Sequence, residues 1–432
     1  MTWNLRYQVK TYIQSALWII PFFALLLEQV AGALAQAVDT RLAWKGLEFG
    51  VEGAQALLNA ITTLTLSFIV FTFGSLLVAI QVASGQYTPR IIATTLPRDN
   101  VIRYTVGLFV FTFLFRIRDL GRTETTVHQF VAIIAGLFAL SCIVAFLFLI
   151  DYAARLLRPV SLAQRIGQHG LEVMKSVYPE QCPEAQSITR LQLSPGPAER
   201  TILHHDKSAI VVAVNVETLF AEAEKAKGVI EFVPPVGDFV GSGEPLFLLH
   251  GAEAVQERKL RESVVVGAER TMDQDSLFAF RILVDIAIKA LSKAINDPTT
   301  AVLAIDQIHR LQRSAGTRNL RTDQILNQAG KLRVIFRTPN WEDFVHLAFS
   351  EIRFYGAEKM QIARRLRAMI VNRTDTLPAQ RHSALSKELE LLDRAIERLY
   401  LLPEDLKLAR IPDSQGLGGS SHTEAASDKL SA

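Results

Sequence analysis

Apolar positions crowd the first third of the chain and then thin out. Thr11–Leu27 runs 17 positions without a charge, Gly53–Pro89 runs 37 and Thr125–Ile150 runs 26. A helix needs about 20 apolar residues to cross a hydrocarbon core of about 30 Å. The last two stretches therefore predict transmembrane helices, and the first meets the lower limit. A further stretch, Tyr104–Phe115, has only 12 charge-free residues. It spans only if Arg103 and Arg116 carry their guanidinium groups to the two interfaces; the alternative is a re-entrant or buried segment. The expectation is an α-helical integral membrane domain of about four transmembrane helices over residues 1–154. Arg6, Lys10 and Ala33-Leu34-Ala35 give the first stretch some marks of a signal peptide, but its length and the following Glu28 favour a retained helix.

After residue 154 the apolar runs shorten to the lengths of strands and amphipathic helices. Residues 151–176 read as a helix continuing out of the membrane, and Pro179, Pro183, Pro195 and Pro197 punctuate a connector over 155–207. Ala209–Val214 and Val229–Val233 are rich in β-branched residues and flank a short helix, Glu217–Lys227. From Gly237-Asp238-Phe239-Val240 to Gly243-Glu244-Pro245-Leu246, paired turn residues surround single apolar ones, as in a small β-barrel or hairpin. This stretch looks like the turn of lipoyl- and biotinyl-type domains, yet no lysine lies between Lys227 and Lys259 to carry such a group. Helices at Asp275–Lys293, Thr299–Arg313, Trp341–Tyr355, Glu358–Val371 and Ala379–Leu401 surround one more strand, Leu332–Phe336. The whole predicts a soluble α+β domain over 208–402 and a disordered tail over 403–432.

Composition sharpens this division. Lys+Arg number 46 and Asp+Glu 43, a net charge of +3. Charged residues make up 18 of the first 154 positions and 71 of the remaining 278, densities that suit a membrane region and an ordinary soluble domain. Each half is near neutral, which excludes a nucleic-acid binder that works by phosphate neutralisation. With only Cys142 and Cys182, and the first in an apolar run, a disulfide framework is excluded. Counting Lys and Arg in the flanks of four crossings gives nine on the side of the N-terminus and five on the other. That excess places both termini in the cytoplasm of a multi-pass inner-membrane protein.

Three groups of residues carry candidate chemistry. Thr62, Thr65, Thr72 and Ser75 fall within about 140° of each other on one helix face. Such a stripe lines a water path or lets helices pack closely. Arg90 and Arg98 follow that helix and are placed to meet lipid phosphates. Arg270 and Asp275 precede a helix on which Arg281, Asp285, Lys289 and Lys293 recur four residues apart amid apolar positions. They read as an anion- or ligand-binding cluster or as a structural ion network. At the end of that helix Asn296 suits a left-handed closing residue and Asp297 a cap for the next helix, with Pro298 at its first position. Glu28 marks the outer end of the first helix or acts within the membrane. Phosphate-binding glycine loops, metal-ligand spacings and nucleophile elbows are missing, so no cofactor, metal or catalytic residue is assigned.

Gln86-Tyr87-Thr88-Pro89-Arg90, Gly237-Asp238-Phe239-Val240, Leu291-Ser292-Lys293-Ala294-Ile295-Asn296-Asp297-Pro298 and Glu351-Ile352-Arg353 together resemble the bacterial family of predicted membrane proteins called domain of unknown function 2254. Lys293 stands where family members commonly have proline. The resemblance covers roughly residues 5–400; it implies a membrane location with a soluble C-terminal part and no established activity. The functional expectation is a homo-oligomeric channel or transport-related protein gated by its soluble domain. The alternatives are a membrane-anchored module that senses a small anion or binds a protein partner, and an enzyme without a recognisable motif.

Overall fold

The computed structural model describes residues 2–42, 50–86, 99–120, 129–156, 158–182, 194–252, 254–320 and 323–419. The chain divides into two compact units, one of residues 9–158 and the other of residues 1–8 with 159–432.

The unit of residues 9–158 is helical. After α1 (Trp3–Ser15), which begins in the other unit, come α2 (Ile19–Leu42), α3 (Val51–Gln86), α4 (Asn100–Leu120) and α5 (Gln129–Leu156). Three of these are long and apolar enough to cross a membrane, over Ile19–Asp39, Glu52–Gln81 and Phe130–Leu156. Their outer faces carry bare Phe23, Leu27, Val70, Leu77, Leu140 and Leu147. In water such faces would cost about 25 cal/mol per Å²; in lipid they cost nothing. The first crossing lies later than the sequence suggested. Pro21 accounts for the shift, because proline is tolerated in a first helical turn and not in a helix interior, so α1 stops and α2 starts. Glu28 consequently sits inside the candidate span, and only 1% of it is exposed.

α4 packs against α2, α3 and α5. Its apolar section, Asn100–Phe115, is shorter than a standard span. Ile102, Arg103, Val106, Phe109, Phe111 and Thr112 are all buried, so little of this section depends on contact with lipid. Arg103 gives its guanidinium to the carbonyls of Ile13 and Gln14, at 2.8 and 3.2 Å. These are the unsatisfied acceptors at the end of α1. Asp99 caps α4 by accepting from the amide of Val101 and takes the Tyr152 hydroxyl at 2.5 Å. Small residues set the spacing of the bundle, with Ala24, Ala35, Ala135 and Ala139 in its core.

Among the described residues the other unit holds α6 (Pro159–Val177), eight strands and the remaining helices. The helix expected to leave the membrane without a break is two helices, α5 and α6. Pro159 has no N–H and disfavours helical backbone before it, so it starts a helix instead of continuing one. A five-stranded mixed sheet has the order β1 (Arg200–Leu203), β5 (Pro245–His250), β3 (Val229–Phe232), β8 (Leu332–Phe336), β7 (Gln324–Leu326). A three-stranded antiparallel sheet has the order β4 (Phe239–Val240), β2 (Ala209–Val214), β6 (Val264–Gly267). They share one core, with Val211, Val214, Ile230, Phe247, Leu249 and Val334 almost fully buried. α7 (Val216–Ala226) and α8 (Glu257–Glu262) complete this part.

Strand β3 pairs in parallel with β8, about one hundred residues later. Parallel partners require a crossover. Here it contains α9 (Ser276–Leu291) and α10 (Pro298–Gly316), which pack on each other and on α6. The junction between α9 and α10 has the form its residues dictate. Asn296 is left-handed at φ 50°, and Asp297 accepts from the Thr300 amide at 3.0 Å with Pro298 opening the helix. α11 (Trp341–Gly356), α12 (Met360–Thr376), α13 (His382–Leu399) and α14 (Pro403–Ala409) finish the unit. Residues 403–419, expected to be part of the tail, are ordered by two side chains. The buried Arg364 donates to the carbonyls of Ile411, Gly418 and Gly419. Asp413 accepts from the amides of Gln415, Gly416 and Gly418. Residues 420–432 lie outside the described residues.

Candidate functional site

Within the second unit a cavity of about 740 Å³ opens where the ends of α6, β2 and β8 meet the start of α9. That volume falls in the range of small-molecule sites. Its apolar wall includes Trp3, Val177, Val236, Ile325 and Phe336; its polar groups include Tyr178, Asn215, Gln274, Asp275, Ser276 and Arg337.

Most of these polar groups are held in place by local structure. Asn215 caps α7 by accepting from Thr218, and Gln274 accepts from the Val214 amide at 2.9 Å. Tyr178 is completely buried and donates to the Pro339 carbonyl at 3.3 Å. Burial pushes its phenol well above the usual range, so it stays a neutral donor. Asp275 caps α9 by accepting from Phe278 and also receives Arg270 Nε at 2.6 Å. Burial pushes this carboxyl up against the opposing pull of Arg270. Gly237, at φ 93°, passes so close to the pair that a Cβ there would lie 2.3 Å from Asp275 Oδ2 and 2.4 Å from Arg270 Nη2. Two motifs that are separate in the sequence, the Gly-Asp turn and the Arg270–Asp275 segment, thus meet at one wall of the cavity.

The other candidates fall elsewhere. Arg281 bridges Asp285 on its own helix and Glu351 on α11. Glu351 holds this guanidinium strongly protonated, and the pairing holds the Glu351 carboxyl below its usual range. The expected polar cluster is therefore three separate arrangements: Arg270 with Asp275, Arg281 with Asp285 and Glu351, and the Asn296–Asp297 turn. Glu351 was the member not foreseen, because it joins from 70 residues away.

On α3, Thr65 and Thr72 are buried and Thr62 is half-buried. Thr62 donates to the Leu58 carbonyl, Thr65 to Ile61 and Ser75 to Thr72, so these hydroxyls serve their own helix. Arg90 and Arg98 lie outside the described residues. Among the described residues, no group of three or more His, Cys, Asp or Glu side chains is placed to hold a metal ion.

The model of one family, described as "Predicted membrane protein (DUF2254)", matches residues 14–372, well over half of the chain. The chain belongs to this family. Relatives include uncharacterised proteins of Mycobacterium bovis and of two Mycobacterium tuberculosis strains. Each is 25% identical over 416 residues, covering 92% of this chain and 79% of the relative. No solved structure matches. With its three apolar helices, family membership makes this DUF2254 chain a predicted membrane protein of unknown function.

Proposed function

We propose that this DUF2254 protein is a membrane-anchored ligand sensor. Its soluble region binds a small amphiphilic molecule in the cavity beside Tyr178, Gln274 and Asp275. The observation that carries this reading is the wall formed by Trp3, a residue of α1, the helix that runs on from the soluble unit into the membrane unit. Ligand in the cavity touches that helix directly, which is the differential contact a sensor needs. The test is thermal unfolding of the full chain in neutral detergent against a metabolite panel. A compound that stabilises the wild type and fails on the cavity-filling variant Val177→Trp supports the sensor. A flat panel, or equal shifts in the variant, overturns it.

The anchor in this reading has four crossings, in the inner membrane, with both termini cytoplasmic. The channel reading has a different basis. Thr65 and Thr72 turn into the chain's own bundle, so a path along the stripe would run inside one protomer and not along the axis of a homo-oligomer. Ion flux in liposomes above that of empty vesicles, lost in Thr72→Val, would favour the channel over the sensor.

A further inference from the structure

Helices α10 and α12 face each other across a line of cationic side chains. Arg365 reaches from α12 to Asp306, with Nη2 to Oδ1 at 2.7 Å, and donates to His309 Nδ1 at 3.2 Å. His309 Nε2 in turn meets Asn372 Oδ1 at 3.1 Å. This geometry requires the neutral Nε2–H tautomer, with Nδ1 accepting from Arg365. Arg373 donates Nη2 to the same Asn372 oxygen. Only 2% of Arg373 is exposed, and its Nε and Nη1 have no hydrogen-bond partner. On the opposite helix Arg313 is exposed, and one turn of α10 also holds Gln312, fully buried with both amide atoms unpartnered.

The charge balance is what makes this place unusual. Three guanidinium groups converge, and among the described residues Asp306 is the one carboxylate paired to them. Burial and the neighbouring Arg313 and Arg365 pull Arg373 down to about 10. Burial and the same arginines, with Arg373, pull His309 down to about 4. Water satisfies hydrogen bonds but supplies no countercharge, and an uncompensated buried charge is strongly destabilising. Asn372 and Arg313 are both exposed at the surface.

We propose that the groove between α10 and α12 binds a phosphate-class oxyanion, held by the guanidinium groups of Arg313 and Arg373. Two guanidinium forks present several donors to one tetrahedral anion, a match that chloride lacks. A free phosphate and an anionic lipid headgroup share this chemistry. The site is distinct from the cavity of the proposed sensor and does not rest on it.

The experiment uses the full chain in neutral detergent, unfolded thermally at constant ionic strength. In one arm inorganic phosphate replaces chloride. In the other the protein sits in phosphatidylcholine vesicles with or without phosphatidylglycerol. Stabilisation by phosphate, by about 5 °C at about a hundredfold excess over Kd, assigns a soluble anion. Stabilisation by phosphatidylglycerol alone assigns a headgroup. No shift in either arm overturns the site. Arg313→Gln, at an exposed position that does not threaten folding, should weaken the effective anion about tenfold. Arg373→Met should abolish the response while unfolding no earlier than wild type without anion. An unchanged response in Arg313→Gln, or an Arg373→Met protein that keeps its response, also overturns the proposal.

Discussion

Gly237 shows how one missing Cβ holds two distant side chains together. The Arg270–Asp275 pair occupies the space an alanine side chain would need, and the backbone there is left-handed. Gly237→Ala should therefore cost about 3 kcal/mol, combining backbone strain with disruption of a largely buried ion pair. Asp275→Asn loses the countercharge to Arg270 but keeps the cap and an amide oxygen that can accept from Arg270, relieves a burial that disfavours the charged carboxyl and adds no backbone strain, so it should cost less, about 1 kcal/mol; chemical denaturation of the two variants checks the order. His309 gives a second prediction, set by Arg365, Arg373 and Arg313 around it and by Asp306 and Asn372 beside it. The unfolded chain binds a proton on this ring near pH 6.5, whereas the folded chain resists it until about pH 4. Between those values the unfolded state holds more protons, so stability is fully present above about pH 6.5 and falls as the pH drops through the window. The loss reaches about 3 kcal/mol at most. A melting profile from pH 7 to pH 4.5 should slope downward in the wild type and flatten in His309→Gln.

Close helix packing extends the same argument to whole elements. At Gly170 on α6, a Cβ would stand 2.7 Å from Ala279 Cβ on α9 and 3.0 Å from Leu311 Cδ2 on α10. Gly170→Val should push α6 away from both helices and cost about 1–3 kcal/mol, read as a lower melting temperature of the full chain. Such contacts mark what the sequence could reveal and what it could not. The α9–α10 junction was legible because Asn296, Asp297 and Pro298 act within a few residues. The apolar helices were legible because length and charge density decide them. The break before α2 was not, because Pro21 sits in a charge-free run that hides it. Strands β1, β6 and β7 have four residues or fewer, too few for an alternating pattern, and their registers are set by partners far along the chain. The cavity brings together side chains from near residue 3 to near residue 339, and the cationic groove joins two helices about sixty residues apart. Neither has a local spacing to read.

The four crossings proposed above rest on what the N-terminal residues touch. Trp3 and Tyr7 pack on Val212, Ala213 and Val265, and the Tyr7 hydroxyl donates to Asp273 at 2.8 Å. Residues 1–8 therefore belong to the same compact unit as residues 159–432. A segment and the surface it packs on lie on one side of a membrane, so the proposed anchor is one that crosses an even number of times. Among the described residues three helices meet the length and hydropathy of a span, an odd number. α4 is the proposed fourth: its 21 residues extend about 31 Å at 1.5 Å per residue, close to the thickness of a hydrocarbon core. Its short apolar section is compatible with crossing because α2, α3 and α5 surround it and Arg103 donates hydrogen bonds to the carbonyl end of α1. Thiol labelling in intact cells checks the parity. Leu5→Cys and Leu402→Cys, both at exposed positions, should be protected from an impermeant reagent, and Lys45→Cys and Glu124→Cys should react with it. Labelling of Leu402→Cys from outside with Leu5→Cys protected would mean an odd number of crossings. In that case the Trp3 and Tyr7 contacts could not form in the membrane, and the sensor would lose the helix that couples its cavity to the bilayer.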